Sequence, residues 1–270
     1  MFFDADAPRL AAEAGLAVVR SCGYEIPTQL ENASEVVGEF QKILTGPPPS
    51  VGPVPTDAKK VGAYLRAEAS AAAEREALKK TAADLGGPPV ARFIGEFRQA
   101  LPGWIENLRS DFDERLAEFT EAIAVAPEQL TASSNDEQVA AYAAALRSAE
   151  YLEFYLRARV QLGASVGEAG ASPGVVYVVA ALPQPPADPS EFNRVWPEVH
   201  AAVAAYSSIR EGGVPRWRDL LSSGLRVNLA PAGGIEQRIG QQQQWQYLAN
   251  ALNIGGGNFH GDVGRWQQVG

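Results

Sequence analysis

The sequence predicts a mainly α protein: a helical bundle followed by a smaller C-terminal region, α+β or helical, with one or two short strands and an extended glycine-rich tail. Three observations predict it. Apolar side chains recur at steps of three and four through residues 103–160, the spacing of a helix that buries one face. Only "VVYVVAAL" (175–182) has the continuous β-branched character of a buried strand, and only "GLRVNLA" (224–230) alternates apolar with polar. Proline and glycine clusters break the chain at 46–55, 86–89 and 163–174.

Residues 8–22 and 32–44 read as short helices, the first with Pro8 at its start. "GPPPSVGPVP" (46–55) holds too many prolines for a helix and favours an extended connector. Thr56 or Asp57 can cap a long alanine-rich helix that runs to the stop "GGPP" at 86–89. Its small side chains bury little area each, so it needs neighbours for stability. In "GWIENLRSDFDERLAEFTEAIAVAP" (103–127), Ile105, Leu108, Phe112, Leu116, Phe119 and Ile123 form a core stripe. Ser134 with Glu137 offers a capping box to the next helix, whose face of Val139, Tyr142, Leu146, Ala149, Leu156 and Val160 reads as buried. Around 151–156 the apolar residues wrap the helix, which marks it as the centre of the bundle. After the small-residue joint at 163–174 come the two candidate strands. Between them lies a helix, 189–213, that Pro197 should kink or restart, and a last helix falls within 238–257. These breaks suggest an N-terminal pair of helices with a proline-rich arm (1–55), a helical bundle (56–165) and a C-terminal domain with a Gly/Gln-rich tail (174–270).

The composition supports a buried core: 46% of residues are hydrophobic and 20% charged. A single cysteine, Cys22, excludes an internal disulfide framework and a cysteine-rich zinc site, and reads as a half-buried thiol. "MFFDADAPRL" lacks the basic and apolar regions of a secretory signal, and the longest apolar run is about half a membrane helix. The expected location is therefore a virion or the cytoplasm, without membrane contact. Residues 1–170 carry 25 acids and 16 bases, whereas residues 171–270 carry seven of each. An acidic front repels polyanions at long range, and a neutral rear is cheaper to desolvate in an interface.

Residues with catalytic potential are sparse. His260 and Asp262 sit among Gly255, Gly256, Gly257, Gly261 and Gly264, a poor platform for a catalytic or metal-binding pair. Phe259 and Trp266 in the same tail, with Trp245 and Tyr247 before it, read as anchors for a neighbouring subunit. His200 and Glu198 are two residues apart and do not share a helical face. The acids Asp111, Asp113, Glu114, Glu118 and Glu121, interspersed with Arg109 and Arg115, read as a solvated helix face rather than a calcium loop. Glu153 needs an arginine if it is buried, with Arg157 four residues on; otherwise the stripe drifts to Leu152 and leaves it exposed. Arg157, Arg159, Arg216, Trp217 and Arg218 combine cations with an aromatic, the chemistry that holds a single nucleic acid strand; internal ion pairing is the competing reading. Phosphate-loop, dinucleotide and nucleophile-elbow motifs are absent from the sequence, as are H-x-x-x-H and E-x-x-H spacings, and no cofactor is expected.

The abundance of proline, alanine and serine in "GPPPSVGPVP" and "AEASAAAERE" resembles the proline-alanine-serine-rich coat proteins of some fungal RNA viruses. The resemblance implies a coat or capsid protein: a non-enzymatic subunit of a large homo-oligomeric particle or filament, whose arms reach its neighbours and which contacts RNA. On an acidic chain, RNA contact needs a local arginine groove. Two other classes fit the residues: a monomeric adaptor that binds a partner helix along 57–85, and an enzyme using His200 or His260 at a domain interface.

Overall fold

A computed structural model describes residues 6–47, 52–170, 176–208 and 213–252, with side chains of the helix at 189–208 described to residue 203. The described residues form eight α-helices, one 3-10 turn and two very short strands, the mainly α bundle expected. The chain divides into two compact units, residues 1–100 and 101–270. The division falls inside one helix, so the breaks expected at 55 and 165–174 lie within units.

The first unit holds α1 (Asp6–Ser21), α2 (Thr28–Thr45), α3 (Ala58–Leu85) and the start of α4 (Gly87–Val125). α1 buries Ala12, Leu16 and Val19, and α2 buries Leu30, Ala33 and Val37, each set on one helical stripe. Phe93 and Phe97 of α4 are fully buried. The stop at 86–89 ends α3 but not helicity. α4 begins at Gly87 and takes Pro88 and Pro89 into its first turn, where a missing N–H removes no intrahelical bond.

α3 is 28 residues long, yet Ala82 is its one buried residue. Asp57 caps it by accepting from the Lys59 N–H at 3.0 Å. Its partly covered residues, Tyr64, Glu68, Ala71, Arg75 and Lys79, fall on a single stripe with Ala82. Along that stripe a cleft of about 390 Å³ opens between Ala71, Arg75 and Leu78 of α3 and Lys42 and Ile43 of α2. Arg75 also donates to the Gly46 carbonyl at the end of α2. The remaining faces of α3, with Val61 and Leu65, are open.

The second unit is built on the rest of α4. Ile105, Leu108, Phe112 and Phe119 are buried there as the periodicity predicts, with Leu116 and Ile123 half-buried. α5 (Asp136–Ser165) follows, and its expected stripe needs correcting. Val139 and Leu146 are each 44% exposed, and the buried residues are Ala145, Ser148, Ala149, Leu152 and Leu156. The apolar pattern in the first half of α5 is ambiguous because alanines occupy both sides. The small residues face the core, and the larger aliphatics face out. The wrapped segment expected at 151–156 is only partly enclosed, with Tyr151 half exposed and Glu153, Phe154 and Tyr155 half-buried; the most buried stretch of α5 comes after it, from Leu156 to Gly163. The cap also shifts by one residue. Asn135 accepts from the Gln138 N–H at 2.8 Å, and the Gln138 side chain accepts from the Asn135 N–H at 3.1 Å. Ser134 accepts instead from the Thr131 N–H in the preceding turn.

The strand expected at 175–182 is shorter than its hydrophobicity suggests. Val176–Val178 form a 3-10 turn, and only β1 (Ala180–Ala181) is extended. It pairs antiparallel with β2 (Arg226–Val227), with Ala180 opposite Val227. Two further bonds, Asn228 N–H to Val179 O and Ala230 N–H to Val178 O, both 2.8 Å, prolong the pairing. α6 (Pro189–Ser208) runs through Pro197 without restarting. α7 (Val214–Ser222), a helix the sequence does not announce, starts with Pro215 near its N-terminus, and α8 (Gly234–Ala251) closes the described fold.

The capping geometry predicts that Asn135→Ala costs roughly 1 kcal/mol in a denaturant melt, whereas Glu137→Ala costs a few tenths at most. Equal losses at the two positions would restore the Ser134–Glu137 cap.

Candidate functional site

The cationic and aromatic residues expected to meet nucleic acid are mostly structural. Arg159, near the end of α5, is completely buried. Its guanidinium donates through Nε to Ala230 O (2.7 Å) and through Nη2 to Pro231 O (2.7 Å). Nη1 and Nη2 also meet the two oxygens of Glu168 at 2.8 and 2.9 Å, a bidentate fork. Glu168 Oε1 accepts the Ile235 N–H at the first turn of α8 as well. One ion pair thus joins α5, the turn after it, the 230–231 segment and α8. The turn is tight: Gly170 has φ +75°, a left-handed backbone that strains any residue with a side chain, and a Cβ there would push the Ile239 Cδ1 methyl, 2.2 Å away, aside.

Arg238 of α8 makes a second clamp. It donates to Tyr177 O (2.9 Å), Asn228 O (3.1 Å) and Asn228 Oδ1 (2.7 Å). Burial, reinforced by the like charges of Arg109, Arg159 and Arg226, lowers its pKa to about 10, still high enough to keep it charged at neutral pH. The Tyr177 hydroxyl is buried without a hydrogen-bond partner, and burial pushes its pKa up to about 12.

Trp217 is fully buried, edge-on to Phe112 with ring centroids 5.7 Å apart. Arg216 sits 3.3 Å from both oxygens of Glu153. That pair resolves the Glu153 question: its arginine comes from α7, not from Arg157. Arg218 donates to the carbonyls of Ala126 and Pro127, both at 3.2 Å. The reading of Arg159, Arg216, Trp217 and Arg218 as a nucleic-acid surface is therefore corrected, because enclosed or carbonyl-bound groups do not reach a phosphate. Arg157 alone of that set is exposed.

The subunit-contact set divides the same way. Trp245 is fully buried, donates to Pro183 O at 2.9 Å and lies among Phe192 (4.9 Å) and Trp196 (5.9 Å). It is a core residue of the unit, and its reading as a subunit contact is corrected. Tyr247 is 50% exposed and stays available. Phe259 and Trp266, with His260 and Asp262, lie outside the described residues. His200 is exposed beside the Trp196 ring, 5.3 Å away. Among the described residues no three His, Cys, Asp or Glu side chains group to hold a metal ion, and no helix is long and apolar enough to cross a membrane.

Two clefts open along α4 in the second unit. One, of about 620 Å³, is lined by Arg115, Glu118, Arg147, Ser148 and Tyr151. Arg115 pairs with Glu118 at 2.7 Å and lies 5.0 Å over the Tyr151 ring. The other, of about 530 Å³, is lined by Arg109, Asp113, Thr120, Arg226 and Asn228. Desolvation there raises the Asp113 pKa and Glu106 adds to it, against the opposing pull of Arg109 and Arg226. Both clefts carry charges of both signs, and the first adds an arginine–tyrosine wall. The residue types were visible in the sequence, but only the folded helices bring Arg115 and Tyr151 together.

Two outcomes follow from the buried groups. Arg159→Met strands the Glu168 carboxylate and two carbonyls, and should destabilise the chain by roughly 3–5 kcal/mol in chemical denaturation. Tyr177→Phe removes an unsatisfied hydroxyl and should be neutral or stabilising by up to about 1 kcal/mol. The raised phenol pKa adds a sign: the unfolded chain loses this proton near pH 10 and the folded one near pH 12, so wild-type stability falls across that window. The fall should be shallower in Tyr177→Phe, which a pH series of melts reads directly.

No family model, curated protein or solved structure matches this chain.

Proposed function

We propose that this protein is a structural subunit of a homo-oligomeric particle or filament, of the coat-protein kind, working by self-association rather than by chemistry. The observation that carries the reading is α3: 28 residues with Ala82 alone buried. Its alanine, leucine, glutamate, lysine and arginine are strong helix formers, so it holds its helix with little burial and leaves most of its surface to neighbours. Its open faces hold Leu65, Leu78 and Leu85, each more than half exposed. α2 adds Val36 and Ile43, and α5 adds Val139 and Leu146. Single apolar side chains are ordinary on a monomer; here Val36 with Ile43, and Val139 with Leu146, stand one above the other at seven-residue spacing, as on a surface that a neighbour covers. The buried charges support the reading too. Arg159, Glu168 and Arg238 spend their hydrogen bonds on holding backbone, which suits a rigid building block.

RNA is the secondary partner in this proposal. With Arg159, Arg216 and Arg218 engaged internally, Arg157 is the cation of the expected set left open to it, and Arg226 is among the other exposed arginines. Net charge is −9, so RNA contact is local and weak beside the protein–protein contacts.

Light scattering with absorbance at 260 and 280 nm tests the proposal. The expected mass is a large multiple of the 28.7 kDa protomer. Leu65→Asp, at a site 60% exposed, should reduce that mass while costing little folding stability. A protomer mass for the wild-type protein across its soluble concentration range would overturn the proposal and favour the adaptor, whose α3 takes a foreign helix.

A further inference from the structure

The outward face of α5 carries a pattern that pairs with itself. The exposed positions Val139, Ala143, Leu146, Arg147, Glu150, Tyr151 and Arg157 run along one side of a 30-residue helix. Arg147 and Glu150 have no ion-pair partner among the described residues. They stand at equal distances from the level of the Ser148–Ala149 peptide, as do Leu146 and Tyr151. We infer that α5 is an isologous interface: two copies of this chain pair the outer faces of their α5 helices antiparallel, about a two-fold axis that runs between the helices at the level of Arg147 and Glu150.

In that register Arg147 faces the partner's Glu150, and Glu150 faces the partner's Arg147. Leu146 meets the partner's Tyr151, and the reverse contact is made by symmetry. The same symmetry sets Ala143 against the partner's Phe154, a small residue against a large one. Arg157 arrives near the partner's acidic first turn, where Asp136 and Glu137 lie. The cleft of about 620 Å³ beside Tyr151 receives the partner's Leu146. A parallel pairing in register would instead set Arg147 against Arg147 and Glu150 against Glu150, two repulsive contacts. The charge order therefore selects both the occupant, a second copy, and its direction. A nucleic acid strand on this face would meet Glu118, Glu121 and Glu150.

The inference rests on the proposal that the chain self-associates, and charge reversal separates the two. Arg147→Glu makes the centre of the face all acidic, and Glu150→Arg makes it all basic. Each variant alone should lose the two-fold contact, so that its mass by sedimentation equilibrium falls at least twofold below wild type. Mixing the two variants in equal amounts should restore it, because every contact across the axis is then acid against base. Helicity by circular dichroism should stay at the wild-type level, since both residues are exposed. If the wild-type protein assembles and both variants keep its mass, or the mixture fails to regain it, the α5 interface is wrong while self-association stands. If the wild-type protein is a protomer, both readings fall.

Discussion

The second unit depends on the Arg159–Glu168 pair. Four elements meet at this ion pair: the end of α5, the turn at 168–170 and the 230–231 segment at the guanidinium, and the start of α8 at the Glu168 carboxylate. A buried ion pair is not a source of stability by its charges alone, because desolvating two ions offsets most of their attraction. Its value here is the satisfaction of carbonyls. Ala230 and Pro231 leave their oxygens inside the unit after a two-residue strand, where a larger sheet would have paired them. Arg159 supplies the missing donors, and Arg238 does the same for Tyr177 and Asn228. Two arginines stand in for the sheet that this region does not build.

That substitution explains the charge balance of the rear of the chain. Residues 171–270 carry equal numbers of acids and bases, which suggests an interface as readily as a core. The folded unit shows where several of the bases go. Arg216 and Arg218 from α7 and Arg238 from α8 turn inward toward Glu153, the Ala126 and Pro127 carbonyls and Asn228. Trp245 likewise closes an aromatic cluster with Phe192 and Trp196 and caps the Pro183 carbonyl. The inward arginines and tryptophans are one device, large amphipathic side chains that fill space and satisfy backbone at once.

Periodicity made the helices legible, and the two strands were legible from β-branching and alternation. The helix from Ile105 to Ile123 is the clearest case, because its large apolar residues occupy one side only. α5 shows where periodicity stops informing: with alanine on every face, Val139 and Leu146 look like core in the sequence, and the chain buries Ala145 and Ala149 instead. Side-chain roles were less legible still. An arginine beside a tryptophan has the same one-letter signature whether it binds a phosphate or a carbonyl. Nothing local in "PRWRDL" says that Ala126 and Pro127 wait for Arg218, since the partners are more than ninety residues away. The one-residue slip of the capping box has a plainer cause. Ser134 and Asn135 are both good caps, and the choice falls to whichever has its side chain free once Thr131 has engaged Ser134.

The two kinds of surface in this fold are therefore opposite solutions to one problem. Within the second unit, Arg159, Arg238 and Trp245 spend their donors on buried carbonyls, while the aliphatic residues that periodicity would place inside are left on the outside of α5. Packing the alanine side inward brings the α5 backbone close to its neighbours, while Leu146 and Tyr151, the residues with the most area to bury, stay available. α3 carries the same logic further, with one small residue buried along 28 and leucines facing out. The area that these two helices withhold from the core is the area that association would bury.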